Sequence, residues 1–362
     1  MRAAITAIEY YLPEAVETTA MLADEFSEWS VEKIEQKTGI STRHIAKAGE
    51  CSSDLGVAAA ERLFASGACP AADIDFLLFC TQSPDYFLPT TACLMQDRLG
   101  ISTAAGALDF NLGCSGFVYG VGLAKGLIET GQARSILLIT AETYSKFINK
   151  RDKSVRTLFG DAGAATLIQS VEGTGEELLG PFVFGTDGQG ANNLIVPTGG
   201  MRSKRSEQSA VVLGDASGNA RCQDDLFMNG AEIFNFTLRE IPKCVGRLLE
   251  AGARSSADID MFIFHQANRY MLDHLRKKLG ISTERFHVGM QHCGNTVSSS
   301  IPIALKQLAL EGRLKDDSLV AMVGFGVGYS WAAALLRPRI WPYPKCTDGR
   351  LALGETEQTQ PI

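Results

Sequence analysis

Three side chains, Cys114, His265 and Asn295, have the types and positions that acyl-transfer chemistry requires. Cys114 stands where an apolar stretch passes through Gly113 into a predicted helix that begins at Gly116. The N-terminus of a helix lowers the pKa of a nearby thiol and raises the fraction of thiolate, which is the nucleophilic form. Cys114 is therefore a candidate nucleophile. The alternative interpretation is a small buried residue, which describes most cysteines.

The neighbouring polar residues have competing interpretations. Ser115 is a rival nucleophile, but the run from Gly113 to Gly116 lacks the Gly-x-Ser-x-Gly spacing of a hydrolase elbow. His265 ends an apolar run, and Asn295 precedes a predicted helix. Taken singly, they would be a core histidine and a turn or helix-capping residue. Their positions relative to Cys114 make them candidate partners of the nucleophile.

Those positions follow from an internal repeat. The segment 72–80, ADIDFLLFC, recurs with small changes 185 residues later as ADIDMFIFH at 257–265. Two further landmarks, a Leu-Gly-Ile sequence and a glycine ahead of an apolar strand, recur at offsets of 180 and 181. The last offset places Asn295 at the position equivalent to Cys114. Ligands of parallel α/β sheets bind beyond the carboxyl ends of the strands, so the three residues are expected to converge on one site.

Apolar strands alternate with helical stretches in both halves, which predicts mostly parallel sheets covered by helices. Three helices are predicted in each half, at 53–66, 91–99 and 116–130, and at 230–251, 270–279 and 297–311. The predicted units are an N-terminal half over 1–172, a C-terminal half over 173–340 and a surface tail over 341–362. A polar, glycine-rich segment at 185–229 is predicted to be an excursion between the halves.

Composition narrows the class of protein. Of 362 residues, 45% are hydrophobic and the formal net charge is −7, which argues against a general nucleic-acid-binding surface. Nine cysteines without metal-ligand spacing predict neither a zinc site nor a disulfide framework, and favour a reduced, cytoplasmic protein. Glu9 and Glu14 interrupt any apolar signal segment. The uncharged stretch 318–336 contains three glycines and predicts strand, turn and strand instead of a membrane span.

Five motifs together resemble the β-ketoacyl-acyl carrier protein synthase III family, within the thiolase-like condensing enzymes. They are GCSGF around Cys114, FGDAGAA at 159–165, HQAN at 265–268, GNT at 294–296 and GFGVG at 324–328. The resemblance runs from about Met1 to Arg337. It implies a duplicated five-layer α/β/α/β/α fold, a homodimer, and a role in fatty acid or secondary-metabolite biosynthesis.

The resemblance also implies roles for individual residues. Cys114 would accept the acyl group, and His265 and Asn295 would hold the thioester carbonyl of the malonyl group while it loses carbon dioxide. The backbone N–H groups of Cys114 and Val327 would form the oxyanion hole. The enolate would then attack the acyl-cysteine and form a carbon–carbon bond.

The predicted substrate-binding residues are Leu88, Asn268, Arg269, Lys37 and Lys153. Lys33 stands where many members have a tryptophan that stacks on the adenine of coenzyme A, so the acyl donor is expected to be either acyl-CoA or an acyl-carrier protein. Leu88 aligns with a position that is often phenylalanine in the family and limits acyl length across the dimer interface, so the flexible leucine is expected to admit a longer chain. The helix after His265 carries basic residues that would face an acidic carrier protein, at positions 269 and 276–278.

No bound cofactor and no metal is expected. The predicted substrates are thioesters of coenzyme A or phosphopantetheine, and the predicted partner is acyl carrier protein, with no nucleic acid and no membrane span. Two alternatives stay open from the sequence. The same cysteine could pass an acyl group to oxygen or nitrogen, or the chain could be the non-catalytic partner in a condensing heterodimer. A degradative thiolase is disfavoured because the GFGVG loop lacks a second cysteine.

Overall fold

The computed structural model describes residues 1–26, 28–172, 177–315 and 317–339. The tail predicted at 341–362 lies outside the described residues. The predicted boundary between the halves, after residue 172, falls at the end of a described range, so the division into these units stays a prediction. The strands are β1 (Arg2–Tyr11), β2 (Ala15–Thr18), β3 (Thr42–Ile45), β4 (Phe76–Cys80), β5 (Gly106–Phe110), β6 (Ser135–Glu142), β7 (Ala162–Val171), β8 (Leu179–Thr186), β9 (Leu194–Ile195), β10 (Leu213–Gly214), β11 (Ala220–Arg221), β12 (Phe227–Met228), β13 (Met261–Phe264), β14 (Val320–Gly326) and β15 (Ser330–Leu336).

The helices are α1 (Thr19–Glu25), α2 (Val31–Thr38), α3 (Ser52–Ala65), α4 (Thr91–Arg98), α5 (Gly116–Glu129), α6 (Lys153–Arg156), α7 (Gly230–Ala251), α8 (Arg269–Lys278) and α9 (Ser300–Leu310). Five of the six helices predicted from the sequence begin within one residue of the predicted start. The exception is the last, predicted from residue 297, because Val297 has φ of +52° and this left-handed backbone cannot belong to an α-helix. A short 3-10 turn at Val297–Ser299 precedes α9 instead.

Two main sheets have matching topologies. The first has the strand order β1-β7-β6-β4-β5, and the second has the order β8-β15-β14-β13. In each, the first three strands pair antiparallel and the next pair is parallel. The position that corresponds to β5 is taken in the second sheet by a parallel bridge between Phe262 and Phe286. The repeat in the sequence is thus a repeat of strand order and direction.

Helices separate and cover the sheets in five layers. α5 and α9 form the middle layer, because each contacts strands of both sheets. α3 and α4 pack on the outer face of the first sheet, and α7 packs on the outer face of the second with α8 beside it. The duplicated α/β/α/β/α fold expected from the sequence is therefore confirmed. The carboxyl ends of β5, β13 and β14 point towards the ends of the middle helices where the candidate residues lie.

The glycine-containing stretch near the C-terminus forms the antiparallel pair β14 and β15, with Gly326 opposite Ser330. Both strands are buried along their whole length. The strand, turn and strand predicted here are confirmed. In the described part of the chain, no helix combines the length and apolarity that a bilayer span needs.

The burial of side chains in the middle layer predicts which substitutions lower the free energy of unfolding. Leu305 is fully buried between the sheets, whereas Leu310, on the same helix, is 55% exposed. We expect Leu305→Ala to lower the free energy of unfolding by about 3 kcal/mol, because it removes buried methyl groups and leaves a cavity. Leu310→Ala, the matched control, should change it by less than about 0.5 kcal/mol. Urea denaturation measures both, and equal effects would contradict a core placed around α9.

Candidate active site

The loop that carries Cys114 joins the end of β5 to the start of α5. Ser115 occupies the position that caps α5, and Cys114 precedes it. Two glycines of β14 face this loop at very short range. A Cβ added to Gly324 would lie 2.8 Å from Ser115 Cα, and one added to Gly326 would lie 2.8 Å from Cys114 Cβ and 2.9 Å from its Sγ. The second half of the chain therefore presses its backbone directly against the nucleophile loop, which only glycine allows.

Ser115 is not placed as a nucleophile. Its Oγ lies 2.6 Å from Ser330 Oγ on β15, and the side chain is fully buried. It does not line the pocket that contains Cys114. Ser115 instead ties the start of α5 to the second sheet.

His265 follows the last residue of β13 and is almost fully buried. Its backbone N–H donates to Val323 O at 2.8 Å, which fixes the residue against β14. Its ring Nδ1 lies 2.7 Å from Ser300 Oγ, in the first turn of α9. Burial lowers the pKa of His265 to about 3, although a hydrogen bond to the Val297 backbone opposes the shift. The imidazole is therefore neutral at physiological pH.

Asn295 lies in a turn that is fixed on both sides. Its N–H donates to Leu158 O at 2.9 Å, and its carbonyl accepts from the N–H of Gly160 at 3.1 Å. The side-chain Oδ1 accepts from the N–H of Val297 at 3.0 Å. Because Oδ1 is engaged, the amide group that remains for the pocket is the donor Nδ2.

Cys114, His265 and Asn295 line one pocket, together with Asn268. The rest of the lining is largely apolar and comes from Leu158, Phe159, Leu194, Met228, Gly230, Ile233, Ala267, Met271, Phe325 and Gly326. An apolar pocket with a few convergent polar groups is the usual form of a small-molecule site. Cys114, His265 and Asn295, which the offsets of the internal repeat predict to converge, therefore lie around one pocket. Among the described residues, no group of His, Cys, Asp or Glu side chains is arranged to hold a metal ion.

The predicted lowering of the Cys114 pKa is wrong for this structure. Burial raises the pKa of the thiol, and the charge of Glu142 raises it further. A backbone hydrogen bond within Cys114 acts in the opposite direction but does not prevail. Cys114 thus keeps its proton at neutral pH.

One of the five predicted substrate-binding residues lines the pocket, and the other four do not. Asn268 lines the pocket, and its Oδ1 caps α8 by accepting from Met271 N at 2.8 Å. Lys37 and Lys153 lie outside the pocket and point at one indole ring, that of Trp29. Arg269 is exposed at the start of α8, against Gly39. Leu88 is 86% exposed and does not line the pocket.

Trp29 is a residue that the sequence reasoning missed. The ammonium groups of Lys33, Lys37 and Lys153 lie 5.7, 5.8 and 6.0 Å from the centre of its ring. Lys153 is also paired with Glu28. The available signal was the position of Trp29 ahead of the N-cap of α2, four residues before Lys33, which aligns with the family tryptophan.

The predicted basic face of α8 is only partly present. Arg276 donates to Ile281 O at 3.0 Å and is mostly buried, so it is not a free surface cation. Lys278 donates to Leu238 O at 2.8 Å. Arg269, Lys277 and Lys278 are exposed, and α8 contacts α2, with Arg269 against Gly39 at the end of that helix.

Val327 follows β14 at the edge of the Cys114 loop, and its Cγ1 would lie 3.1 Å from a Cβ added to Gly113. The N–H groups of Cys114 and Val327 belong to loops, and neither is paired with a protein acceptor in the described ranges. Two unpaired N–H groups on facing loops are suited to receive an oxyanion.

Comparison with known proteins decides the family. Residues 108–188 match the model of 3-oxoacyl-[acyl-carrier-protein (ACP)] synthase III, and residues 249–338 match its C-terminal model. The β-ketoacyl-[acyl-carrier-protein] synthase III of Caldanaerobacter subterraneus subsp. tengcongensis is 34% identical, over 90% of this chain and 95% of the relative. The chain belongs to the β-ketoacyl-acyl carrier protein synthase III family.

Solved structures agree with this assignment. A crystal structure of a 3-oxoacyl-(acyl-carrier-protein) synthase III superposes with a TM-score of 0.92 at 53% identity, covering 93% of this chain and all of the other. The 3-oxoacyl-(acyl-carrier protein) synthase from Burkholderia xenovorans LB400 gives a TM-score of 0.85 at 38% identity, covering 94% of this chain and 95% of the other. As a synthase III family member, this chain is a condensing acyltransferase with a thiolase-like fold.

The contact between Gly326 and Cys114 makes a prediction about the site. Gly326→Ala should reduce acyl loading of Cys114 at least tenfold, because the added methyl occupies the space of Sγ while the fold is retained. Gly246→Ala, in α7 with open space around its Cβ position, is the control and should leave loading unchanged. Intact-protein mass after incubation with an acyl thioester measures loading. Normal loading in Gly326→Ala would contradict the close packing of the two loops.

Proposed function

We propose that this synthase III family member catalyses a decarboxylative Claisen condensation through an acyl-cysteine on Cys114. The observation that carries the proposal is the shared pocket of Cys114, His265 and Asn295, in which two neutral donors accompany one thiol. In the first step, Cys114 Sγ attacks the carbonyl carbon of an acyl thioester. The proton of Cys114 ends on the departing thiol of coenzyme A or phosphopantetheine.

The second step is the loss of carbon dioxide from a malonyl thioester. His265 and the Nδ2 group of Asn295 would donate hydrogen bonds to the thioester carbonyl, on which negative charge develops as the enolate forms. Both groups are uncharged before the reaction, since burial holds the pKa of His265 far below neutrality. A preorganised donor of this kind contributes about 3 kcal/mol to the barrier, or about 100-fold in rate.

In the third step the enolate carbon attacks the acyl carbonyl on Cys114. The tetrahedral oxyanion would be held by the N–H groups of Cys114 and Val327. Collapse of the intermediate expels Cys114 Sγ, which recovers a proton, and releases the β-ketoacyl thioester. The close approach of β14 to the Cys114 loop supports this role, because it places the loop of Val327 beside Cys114.

We assign the recognition of the thioester carrier to the Trp29 cluster, which consists of Trp29, Lys33, Lys37 and Lys153. A flat indole face with the exposed ammonium groups of Lys33 and Lys37 suits an aromatic base with phosphates, as in coenzyme A, and the same cations suit a phosphopantetheine arm. Asn268, at the pocket wall, would hydrogen-bond the arm. Acyl-CoA and acyl-carrier protein are the substrates expected, without a bound cofactor.

We further propose that two copies of the chain form a homodimer through the edge of the first sheet. β5 is the edge strand of that sheet, and Leu108 on it is exposed. Tyr86, Phe87 and Leu88 form an exposed apolar loop, with Phe87 79% exposed. Exposed edges and apolar loops of this size are normally covered. In the dimer, Leu88 would reach the partner's acyl pocket and limit chain length.

We propose a cytoplasmic location. Each cysteine in the described ranges is a free thiol. Free thiols, including a reactive one in the pocket, persist in a reducing compartment.

Separate assays of the two half-reactions test the proposal. Cys114→Ala should abolish acyl loading across a series of acyl-CoA and acyl-carrier protein donors of increasing length. His265→Ala and Asn295→Ala should keep loading but lower carbon dioxide release from malonyl-carrier protein by about 100-fold each. Loading is measured by mass, and product by chromatography.

Other outcomes of that experiment identify the alternatives. Loading of the wild type without a condensation product, but with an acylated alcohol or amine, would indicate transfer to oxygen or nitrogen. No loading from any donor would indicate a non-catalytic subunit. Loading by acetyl groups alone would contradict the assignment of a longer chain to the Leu88 position.

The carrier surface has its own test. Arg269→Glu should raise the apparent KM for malonyl-carrier protein several-fold at low salt, and the difference should shrink as salt screens the charges. Lys315→Glu is the charge-matched control, since Lys315 is exposed ahead of β14, at the end of that strand away from the pocket. An unchanged KM in Arg269→Glu, or an equal rise in both variants, would reject the assignment.

A further inference from the structure

Glu142 is a fully buried carboxylate at the end of β6 that the proposed reaction does not use. Its oxygens accept hydrogen bonds from the N–H of Gln82 at 3.0 Å, and from the hydroxyls of Ser83 and Ser298 at 3.1 Å each. Thr81 Oγ1 is more distant, at 3.5 Å. Within the described ranges, no Lys, Arg or His pairs with it. A buried carboxylate without a cation is costly when ionised.

One side of the Glu142 network leads to the nucleophile loop. The backbone N–H of Gln82 donates to Glu142, and the side-chain Nε2 of Gln82 donates to Asn111 Oδ1 at 3.1 Å. Its Oε1 accepts from the hydroxyl of Tyr144 and would lie 2.5 Å from a Cβ added to Gly113. Gln82 therefore packs directly against the residue that precedes Cys114.

The other side leads to the decarboxylation pair. Ser298 belongs to the short turn between Asn295 and α9, and it follows Val297, whose N–H orients the Asn295 amide. The next residue, Ser299, is equally buried but donates to Thr140 O at 2.9 Å instead of to Glu142. One carboxyl group thus joins the two segments that carry the proposed chemistry.

The charge of Glu142 also reaches titratable groups on the surrounding elements. These are Cys80 at the end of β4, Cys114 in the nucleophile loop and Tyr144 after β6, and a negative Glu142 raises the pKa of all three. The other polar groups around it, Thr81, Ser83 and Ser298, are hydroxyls that do not titrate in this range. An ionised Glu142 therefore opposes the negative charge that develops on Cys114 Sγ as it attacks.

We propose that Glu142 is a positioning residue that must be protonated while Cys114 is acylated, and that its ionisation limits the reaction at alkaline pH. The inference rests on the proposed role of Cys114. As a neutral acid, Glu142 donates to one hydroxyl and accepts from the other donors, so the network stays intact without adding charge beside the thiol. Burial raises the pKa of Glu142 to about 8, which supports a protonated form at neutral pH.

The expected acylation rate levels off at alkaline pH, unlike that of a simple thiol. Without Glu142, the acylation rate should rise with pH as more thiolate forms. With a single ionisation of Glu142 near pH 8, the fraction of enzyme in which Glu142 is protonated falls by about tenfold for each further pH unit. This fall should cancel the rise in rate that is due to the thiolate. Stability should change below this range. Because the folded-state pKa lies above the unfolded one, the stability contributed by protonated Glu142 is fully present below the unfolded pKa, falls as pH rises towards the folded pKa of about 8, and does not change further above it.

The test compares wild type with Glu142→Gln, which keeps the size and hydrogen-bonding capacity of the side chain but does not titrate. Single-turnover acylation of Cys114 is measured from pH 6 to about 9.5, and the melting temperature is measured over the same range. We expect the variant to load at pH 7 within about threefold of wild type and to exceed it by about tenfold near pH 9, with a melting temperature that depends less on pH. Identical pH profiles of rate and of melting temperature in the two proteins would overturn the proposal.

A second pair of variants tests the positioning role if Glu142→Gln does not fold. Ser298→Ala should keep acyl loading but lower carbon dioxide release at least threefold, since the Asn295 turn loses its bond to Glu142. Ser299→Ala, its buried neighbour, should not lower carbon dioxide release relative to loading. Equal effects of the two serines on decarboxylation would overturn the link. The melting-temperature profile does not depend on acylation, so a failure of the Cys114 mechanism would leave it intact and would be recognised separately.

Discussion

The site depends on the contact between β14 and the loop that carries Cys114. There the two halves of the chain meet backbone to backbone, and the contact distances leave no room for a side chain at Gly324 or Gly326. Hydrophobic burial in the middle layer holds the halves together, since α5 and α9 each pack on both sheets. Because Gly324 and Gly326 have no side chains, β14 approaches the Cys114 loop closely, and the thiol and the loop of Val327 face the same pocket.

Charge is kept low in this pocket. His265 is buried and neutral, Asn295 offers an amide N–H, and Cys114 keeps its proton at neutral pH. A neutral site favours a reaction in which negative charge appears only in the transition state, because fixed donors then stabilise that state more than the bound substrate. The N–H of Val297 determines which atom of Asn295 faces the pocket, and the same residue has a strained, left-handed backbone. Strain of this kind persists where surrounding structure over-determines it.

Much of this arrangement could be predicted from the sequence because it repeats. Strand and helix positions follow from local apolar patterns, and the offsets near 181 place Asn295 opposite Cys114 in equivalent halves. The features that escaped prediction arise from contacts between distant segments. The delayed start of α9 reflects the turn held by Leu158 and Gly160, and the raised pKa of Cys114 reflects burial and a carboxylate on another strand. The Trp29 cluster was missed because its lysines come from α2 and α6, which are more than 100 residues apart.

The central claim is that an acyl group on Cys114 is the acceptor of the carbanion formed by decarboxylation. Acyl-enzyme isolated free of donor can be mixed with malonyl-carrier protein labelled at its free carboxyl carbon and followed through one turnover. The account predicts one labelled carbon dioxide and one β-ketoacyl-carrier protein for each acyl group lost from Cys114. Carbon dioxide released while the acyl-cysteine persists, or acyl loss without carbon dioxide, would contradict it.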